Sequence, residues 1–435
     1  VKIAVLVKQV PSADSRLTLN VENLRLERTL TDPVLNPSDL HAVEAALQIS
    51  DASGIQTVSI SMGPAGVEQS TKRALAMGID ESVHVTDENL HGADIWVTAN
   101  VLAKAILHCG ADLVFAGTKS SDGQSEVVPA YVARLLDWNY VEVSSESELD
   151  LVLNLKKPSI VVVTKDFNTP RLPNFKGIAA AKNKPVSTLN LVDLGLADIA
   201  PKTKIISQTT ILKEKNPEKK SGTPKELAVL LLEQISKWSN VEDTQIQKVE
   251  INPASEVKVF TADQKAEAAS FAAENKLALI TDVCAAENDQ FTKEIFDGSV
   301  NVIIECKGPS VITIADVPSC KGISVCVGGG VTSIGDLRIV AKSMEAEVVG
   351  TSAAFDKGHI GVESLVGASG RTISPNIYVG FGVSGAHYHF AGVRKPNYIA
   401  AVNKDPEAEI FAFADLAIVG DADEVLAALL QELGK

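Results

Sequence analysis

The sequence predicts an α/β protein built on parallel sheets, and three observations carry that expectation. Short β-branched runs alternate with helix-period segments, as in "KIAVLVKQV", "PSDLHAVEAALQIS", "IQTVSISMG", "VEQSTKRALAMG", "ADIWVTANVLAKAILHC" and "ADLVFAG". These runs are too apolar for a sheet with one wet face, so helices are expected on both sides. The same alternation returns toward the C-terminus in "ISVCVGGGV", "AEVVGTSAAF", "NIYVGFGVSG", "NYIAAVN" and "LAIVGDADEVLAALLQELG". With 435 residues the chain has room for two or three such units, each with its own core.

Taken in order, "VKIAVLVKQVP" reads as a first buried strand and not as a targeting segment, because its apolar core is short and no A-x-A-like cleavage site follows. The next helix starts near Pro37, with Asn36 as the expected N-cap and Leu40, Val43, Ala46 and Leu47 on one face. After "PSIVVVTKD", proline and glycine break every period in "FNTPRLPNFKGIAAAKNKPV", which predicts an exposed loop. From residue 201 the chain turns polar; "LKEKNPEKKSGTPK" reads as a solvated linker before the amphipathic helix "KELAVLLLEQISKW". A second, smaller α/β unit is expected over "EVKVFTADQKAEAASFAAENKLALITD" and "NVIIECKGPSVITIA", and a third from "ISVCVGGGV" onward.

A formal net charge of −15 argues against nucleic-acid or anionic-membrane binding. No run approaches the roughly 18 apolar residues of a membrane span, so no membrane insertion and a cytoplasmic location are expected. Cys109, Cys284, Cys306, Cys320 and Cys326 include no C-x-x-C pair, which indicates neither a disulfide framework nor a metal centre.

"VCVGGGVTSIGDL" puts glycines at a strand-to-helix turn, where backbone N–H groups can approach a phosphate. "VGASGRTISP" and "GFGVSGAHYH" do the same at two further strand ends, and such turns on neighbouring parallel strands face one crevice. Ser384, Gly385 and Ala386 would offer consecutive N–H donors to an anion. For His387 and His389 a metal role lacks a third ligand at suitable spacing, and the serine of "GVSGA" is not in a G-x-S-x-G elbow. Two readings remain at this level: histidines satisfied in the core, or an imidazole that stabilises charge on a cofactor.

The stretch "VGASGRTISPNIYVGFGVSGAHYHFAGVRKPNYIAAVNKDPEAEIFAFADLAIVGD" resembles the FAD-binding domain of the electron transfer flavoprotein α subunit, above all in SGA-x-x-H-x-AG followed by I-x-A-V-N-K-D-P-E-A-x-I-F. The N-terminal region is similar to the β subunit of the same family, with "VKQVP", "NPSDLHAVEAAL", "SMGP", "RALAMGID", "DLVFAG" and "RLPN" in the family order. The resemblance implies a single-chain fusion with the β-like part ahead of the α-like part. It implies a parallel-sheet nucleotide-binding domain over residues 1–247, with a partner-recognition loop at about 168–185 and a C-terminal arm at about 201–245. A trimmed second α/β domain would follow over 248–318, then a Rossmann-like FAD-binding domain over 319–435.

By position, the resemblance implies FAD contacts at Ser352, Val366, Gly367, Ala368, Ser369, Gly370, Ser384, Gly385, Ala386, His387, Tyr388, His389, Asn403 and Asp421. Ser369 stands where a hydroxyl lies near flavin N5, and His389 where the family histidine faces the N1–C2=O edge and favours the reduced, anionic ring. Two departures, "VGGG" for the family's GGRG and "TSAA" for its SRAA, remove two arginines near the flavin and should lower the reduction potential. In the β-like part, Leu6, Asn36, Asp39, Met62, Gly117, Ser121, Asp122, Gly123 and Ser125 match positions that bind AMP, or a second FAD in electron-bifurcating members. Glu126 adds a negative charge near that phosphate position. Leu172, in "RLPN", matches the leucine that anchors a partner dehydrogenase.

The implied function is an electron carrier: one FAD takes electrons from a dehydrogenase, such as an acyl-CoA dehydrogenase, and passes them to a quinone oxidoreductase, flavodoxin or ferredoxin type of acceptor. Such a carrier has no substrate of its own, and the chain is expected as a monomer or homodimer. The alternatives are a bifurcating protein that oxidises NADH at a second FAD, and a redox-inactive nucleotide-binding protein.

Overall fold

The computed structural model describes residues 2–11, 19–20, 25–26, 33–65, 68–148, 152, 154, 158–210, 215–239, 251–295, 300–315, 322–367, 370–390, 392–393 and 396–434. The first sheet has seven strands, β1 (Ile3–Leu6), β2 (Thr57–Met62), β3 (Glu81–Val85), β4 (Leu113–Gly117), β5 (Asn139–Val143), β6 (Ser159–Val163) and β7 (Val186–Leu189). They lie in the order β7-β3-β2-β1-β4-β6-β5 and are parallel throughout. Helices α1 (Pro37–Ser53) and α2 (Glu68–Met77) cover one face, over Ile3, Val5, Phe115 and Val161. Helices α3 (Ile95–Cys109) and α4 (Val128–Leu136) cover the other, over Ala4, Val58 and Val114. Burial on both faces is why these strands read as unbroken apolar runs. The chain winds outward from β1 to β3 and then returns to the far side of β1 as β4. That reversal opens a crevice at the carboxyl ends of β1 and β4.

Helix α1 starts at Pro37 as expected, but Asn36 makes no side-chain capping bond. Asn36 does hold the N-cap position, as expected, while its side-chain amide is engaged in the crevice. Asp94 does cap α3, accepting from the Val97 N–H at 3.0 Å. The stretch expected to be an irregular loop contains a two-turn helix, α5 (Phe175–Ala181), capped by Asn174, whose Oδ1 accepts from the Gly177 N–H at 2.8 Å. The cap supplies locally what the broken periodicity does not.

The polar stretch after residue 201 is not simply a linker. Strand β8 (Lys204–Thr210) joins a second sheet, while β9 (Lys219–Lys220) and helix α6 (Pro224–Ser239) belong to a third unit; residues 211–214 lie outside the described ones. The second sheet also takes β10 (Ile251–Pro253), β11 (Val257–Phe260), β12 (Ala278–Asn288), β13 (Gln290–Ile295), β14 (Val300–Glu305) and β15 (Ser310–Ile314). Its order is β8-β14-β13-β12-β15-β11, with β10 beside β12. Pairing is antiparallel from β8 to β12 and parallel from β12 to β11. Helix α7 (Lys265–Glu274) presents Ala268, Ala269, Ala272 and Ala273 to the first unit, so the two units share one core with α4. The small alanines let the two helices approach closely, and the Tyr131 hydroxyl donates across the seam to the Leu277 carbonyl at 3.2 Å.

The third sheet adds β16 (Ile323–Val327), β17 (Glu347–Gly350), β18 (Ile377–Phe381), β19 (Tyr398–Asn403) and β20 (Leu416–Val419), in the parallel order β9-β20-β19-β18-β16-β17. Helices α8 (Ile334–Ser343), α9 (Ser352–Asp356), α10 (His387–Phe390), α11 (Ile410–Phe413) and α12 (Ala422–Glu432) complete the unit. One face is closed by α6, α8 and α12. The α6 end is pinned by Trp238, whose ring stacks on Tyr398 at 4.8 Å and 11°. Strand order reverses at β16, which places a second crevice at the carboxyl ends of β16 and β18.

Candidate cofactor and nucleotide sites

In the third unit the glycine turn after β16 is closed against the turn after β18. The Gly328 and Gly330 N–H groups donate to Phe381 and Gly382 carbonyls at 2.8 and 3.2 Å, and a Cβ at Gly328 would lie 2.1 Å from the Gly382 oxygen. Asp423 then accepts from the Thr332 and Ser333 N–H groups at 3.0 and 2.9 Å and from the Thr332 hydroxyl. These contacts overturn the expectation that "VGGGVTS" cradles a phosphate: its glycines serve turn-to-turn packing, and a carboxylate already occupies the start of α8. Sequence reasoning missed Asp423; its place next to the helix-capping Asp421 was the available signal.

The neighbouring turn is different. Among the described residues, the backbone N–H groups of Ser384, Gly385 and Ala386 have no acceptor, and they lie just ahead of α10. Gly385 holds φ +93, and a Cβ there would lie 2.1 Å from the Ile410 nitrogen. Only glycine fits that path. Asn403 fixes the turn from β19: its Nδ2 donates to the Val383 carbonyl at 2.8 Å, and its Oδ1 accepts from the Asp405 N–H at 3.0 Å. This open run of donors suits the pyrophosphate of a dinucleotide.

Val366, Gly367 and Gly370 form a tight turn, with the Val366 N–H on the Gly350 carbonyl at 3.0 Å and the Gly370 N–H on Gly367 at 3.0 Å. Ser352 opens α9, exposed, at the same edge. Asp421 caps α12 through the Asp423 and Glu424 N–H groups at 2.9 and 3.4 Å, so its carboxylate serves the helix. Ala368 and Ser369 lie outside the described residues; His387 and Tyr388 lie on α10.

His389 answers the question its motif raised, and corrects an expectation. Its Nδ1 lies 3.0 Å from the Val366 carbonyl, so that nitrogen carries the proton and donates. Nε2 then accepts from the Tyr378 hydroxyl at 2.7 Å, with Cys326 Sγ at 3.4 Å. The residue is 4% exposed, and burial pushes the imidazole down to about 4 despite the Val366 bond. With both nitrogens engaged, His389 has no free N–H for a flavin edge; it ties the 366–370 turn to β18. Tyr378, fully buried, went unrecognised because an apolar strand context hides a hydroxyl that has a specific partner.

The first unit's crevice gathers charged side chains. Asn36 Nδ2 donates to Asp39 Oδ1 and to the Lys119 carbonyl, both at 2.9 Å, and Asn36 Oδ1 accepts from the Ser121 N–H at 3.2 Å. Asp39 Oδ2 accepts from the Lys8 N–H at 2.8 Å, and burial lifts this carboxyl to about 7 against those lowering bonds. Lys8 Nζ reaches Asp122 at 2.6 Å. Burial opposes ionisation of Asp122, but the Lys8 charge and bonds from Lys8, Ser120 and the Gly123 N–H outweigh it and hold the carboxyl at about 2. Gly117 has no room for a side chain, since a Cβ would lie 2.5 Å from Asp39 Oδ1. Leu6 and Met62 end β1 and β2, and Ser125 sits half-buried beyond Gly123. Glu126 is neutralised by Lys265 of the second unit at 3.0 Å. Neither lysine was singled out from the sequence: Lys8 lies within the VKQVP run, which was the available signal, and no motif marks Lys265.

Leu172 is 80% exposed and Phe175 on α5 is 94% exposed, giving an apolar tip. The loop is rooted on α1: Arg171 meets buried Glu44 through two guanidinium bonds at 2.8 and 2.9 Å, and Asn168 exchanges bonds with His41.

Residues 24–194 match the electron transfer flavoprotein domain, and residues 320–394 match the electron transfer flavoprotein FAD-binding domain. The electron transfer flavoprotein β subunit of Mycobacterium leprae is 36% identical over 214 residues, which cover 45% of this chain and 80% of that protein. The chain belongs to the electron transfer flavoprotein family. The β subunit of Thermoanaerobacterium thermosaccharolyticum is 31% identical over 254 residues, 54% of this chain and 97% of that subunit. The caffeyl-CoA reductase-Etf complex subunit CarD of Acetobacterium woodii is 30% identical over 237 residues, 51% of this chain and 90% of its own length. Within the family, the chain therefore joins a β-subunit-like part to an α-type FAD-binding domain in one polypeptide. No helix among the described residues is long and apolar enough to cross a membrane.

Proposed function

We propose that the chain is a single-polypeptide electron carrier, with one FAD along the carboxyl edge of the third sheet and AMP in the crevice of the first. The run of unpaired N–H groups at Ser384, Gly385 and Ala386 carries this reading, because it offers fixed donors to a pyrophosphate inside the FAD-binding domain. Ser352, the 366–370 turn, Asn403 and α10 would frame the cofactor, which supplies the redox chemistry when bound. The chain's own part is to hold the phosphates, to keep His389 neutral, and to shape the edge through the His389–Val366 bond. A dehydrogenase would dock on Leu172 and Phe175 and deliver electrons; a quinone oxidoreductase, flavodoxin or ferredoxin type of acceptor would remove them.

The test is to mix the full chain with an acyl-CoA dehydrogenase and its acyl-CoA and to follow the visible flavin band. Bleaching that needs both the dehydrogenase and its substrate is expected; no bleaching with any such donor refutes the carrier role. The likeness to a subunit of a caffeyl-CoA reductase-Etf complex favours a second reading, a bifurcating protein with a second FAD in the first unit's crevice. Bleaching by NADH alone, with two FAD per chain, would select it.

A further inference from the structure

Lys293, on β13 of the second unit, is 7% exposed and reaches toward the first unit's crevice. Its Nζ donates to Thr281 Oγ1 at 3.0 Å and to the Gly123 carbonyl at 3.4 Å. Both partners are neutral. The two carboxylates nearby, Asp282 and Glu126, are held by Lys265 at 2.8 and 3.0 Å. Among the described residues Lys293 makes no ion pair of its own: Asp282 and Glu126 attract it through space but are bonded to Lys265, so this buried ammonium lacks a direct anionic partner.

Where that anion would sit follows from the loop that Lys293 touches. Gly123 lies between β4 and α4, and α4 starts at Val128 with Val127 at its N-cap position and no side-chain cap. The first-turn N–H groups of α4 have no preceding carbonyls within the helix. The loop also holds Gln124 at φ 49 and Glu126 at φ 62, left-handed conformations that a side chain adopts at a cost and that recur at binding sites.

We propose that Lys293 is the counter-ion of a nucleotide phosphate bound at the loop between β4 and α4, supplied to the first unit's crevice by the second unit. The inference rests on the proposed nucleotide in that crevice. The alanine face of α7 seats the second unit on α4, and that packing brings Lys293 to the loop. Burial lowers the Lys293 ammonium to about 8, and a bound phosphate dianion would draw its proton back. The charged groups facing it are Lys265 from α7, Asp282 from β12 and Glu126 from the loop.

The test titrates AMP and, separately, adenosine into the nucleotide-stripped full chain by calorimetry, for wild type and Lys293→Met. AMP should bind K293M about tenfold or more weakly, with adenosine unchanged, because only AMP carries the charge. Should K293M fail to fold, wild type alone gives the answer at pH 8.5 in two buffers of different ionisation enthalpy: AMP binding should take up a proton and adenosine binding should not. Equal AMP affinities in a folded K293M, or no proton uptake by wild type, overturn the role of Lys293 and leave the nucleotide site standing. A wild type that binds neither AMP nor FAD in this crevice overturns the nucleotide reading and the inference with it.

Discussion

The first and third units place a crevice at the same topological point, beside the strand where the order reverses, and furnish it from different materials. At the ends of β1 and β4 the donors and acceptors are side chains: Lys8, Asn36, Asp39 and Asp122, with lysines contributed by the second unit. At the ends of β16 and β18 they are backbone N–H groups on a glycine path, and the ionisable side chains nearby are kept neutral by burial, as with His389, or engaged in capping, as with Asp421 and Asp423. Side-chain charges can be retuned by pH and by single substitutions. Backbone donors are indifferent to both, and depend instead on glycine. The two crevices should therefore fail under different insults.

The largest expected effect is at Gly385. G385V meets the Ile410 backbone and forces a branched residue to positive φ, a strain of about 1–3 kcal/mol before the clash is counted. FAD per chain should fall below about a tenth of wild type while AMP retention is unchanged; absorbance and nucleotide analysis after gel filtration would show both.

The pH response should separate the units next. Asp39 has a folded pKa of about 7 against an ordinary 3.8, so the folded state binds the extra proton and the first unit gains stability as pH falls below 7. His389 has a folded pKa of about 4 against 6.5, so the unfolded state takes the proton first and the third unit loses stability as pH falls through 6.5 toward 4. Between pH 7 and 5 each contribution is about 2 kcal/mol, opposite in sign. Hydrogen exchange resolved by unit should show protection rising in α1 and β4 and falling in β18 and α10; changes of one sign in both would erase the contrast.

Y378F is the next step down. It leaves buried His389 Nε2 with only the weak Cys326 thiol and should lower stability by about 1–3 kcal/mol in a urea titration, with part of the FAD lost as the His389 contact to Val366 loosens. L172A should be smallest in stability, within about 0.5 kcal/mol of wild type, because the side chain touches solvent. Its effect belongs to docking, read as an about tenfold slower flavin reduction by a dehydrogenase.

Much of this was legible in the residues. Burial on both faces left the strands as unbroken apolar runs, and the SGA turn announced its donors because glycine and serine there follow a strand directly. What was hidden depends on distant parts of the chain. β9 pairs with β20, about two hundred residues away, so the polar stretch around it read as linker. Asn36 is the N-cap the sequence announces, but its amide is claimed by Lys119 and Ser121, which no local pattern shows. The GGG turn looks like a phosphate cradle until the turn after β18 packs into it. His389 looks like a cofactor ligand because its motif is local, whereas Tyr378 and Val366, which claim its nitrogens, come from a strand and a loop that only the fold brings together.

The most direct measurement is to purify the chain, release its nucleotides with acid, and quantify FAD and AMP per polypeptide beside a visible spectrum. One FAD and one AMP per chain is the result expected of a single-polypeptide carrier whose two crevices are furnished as described. A chain that folds and releases no flavin would contradict it.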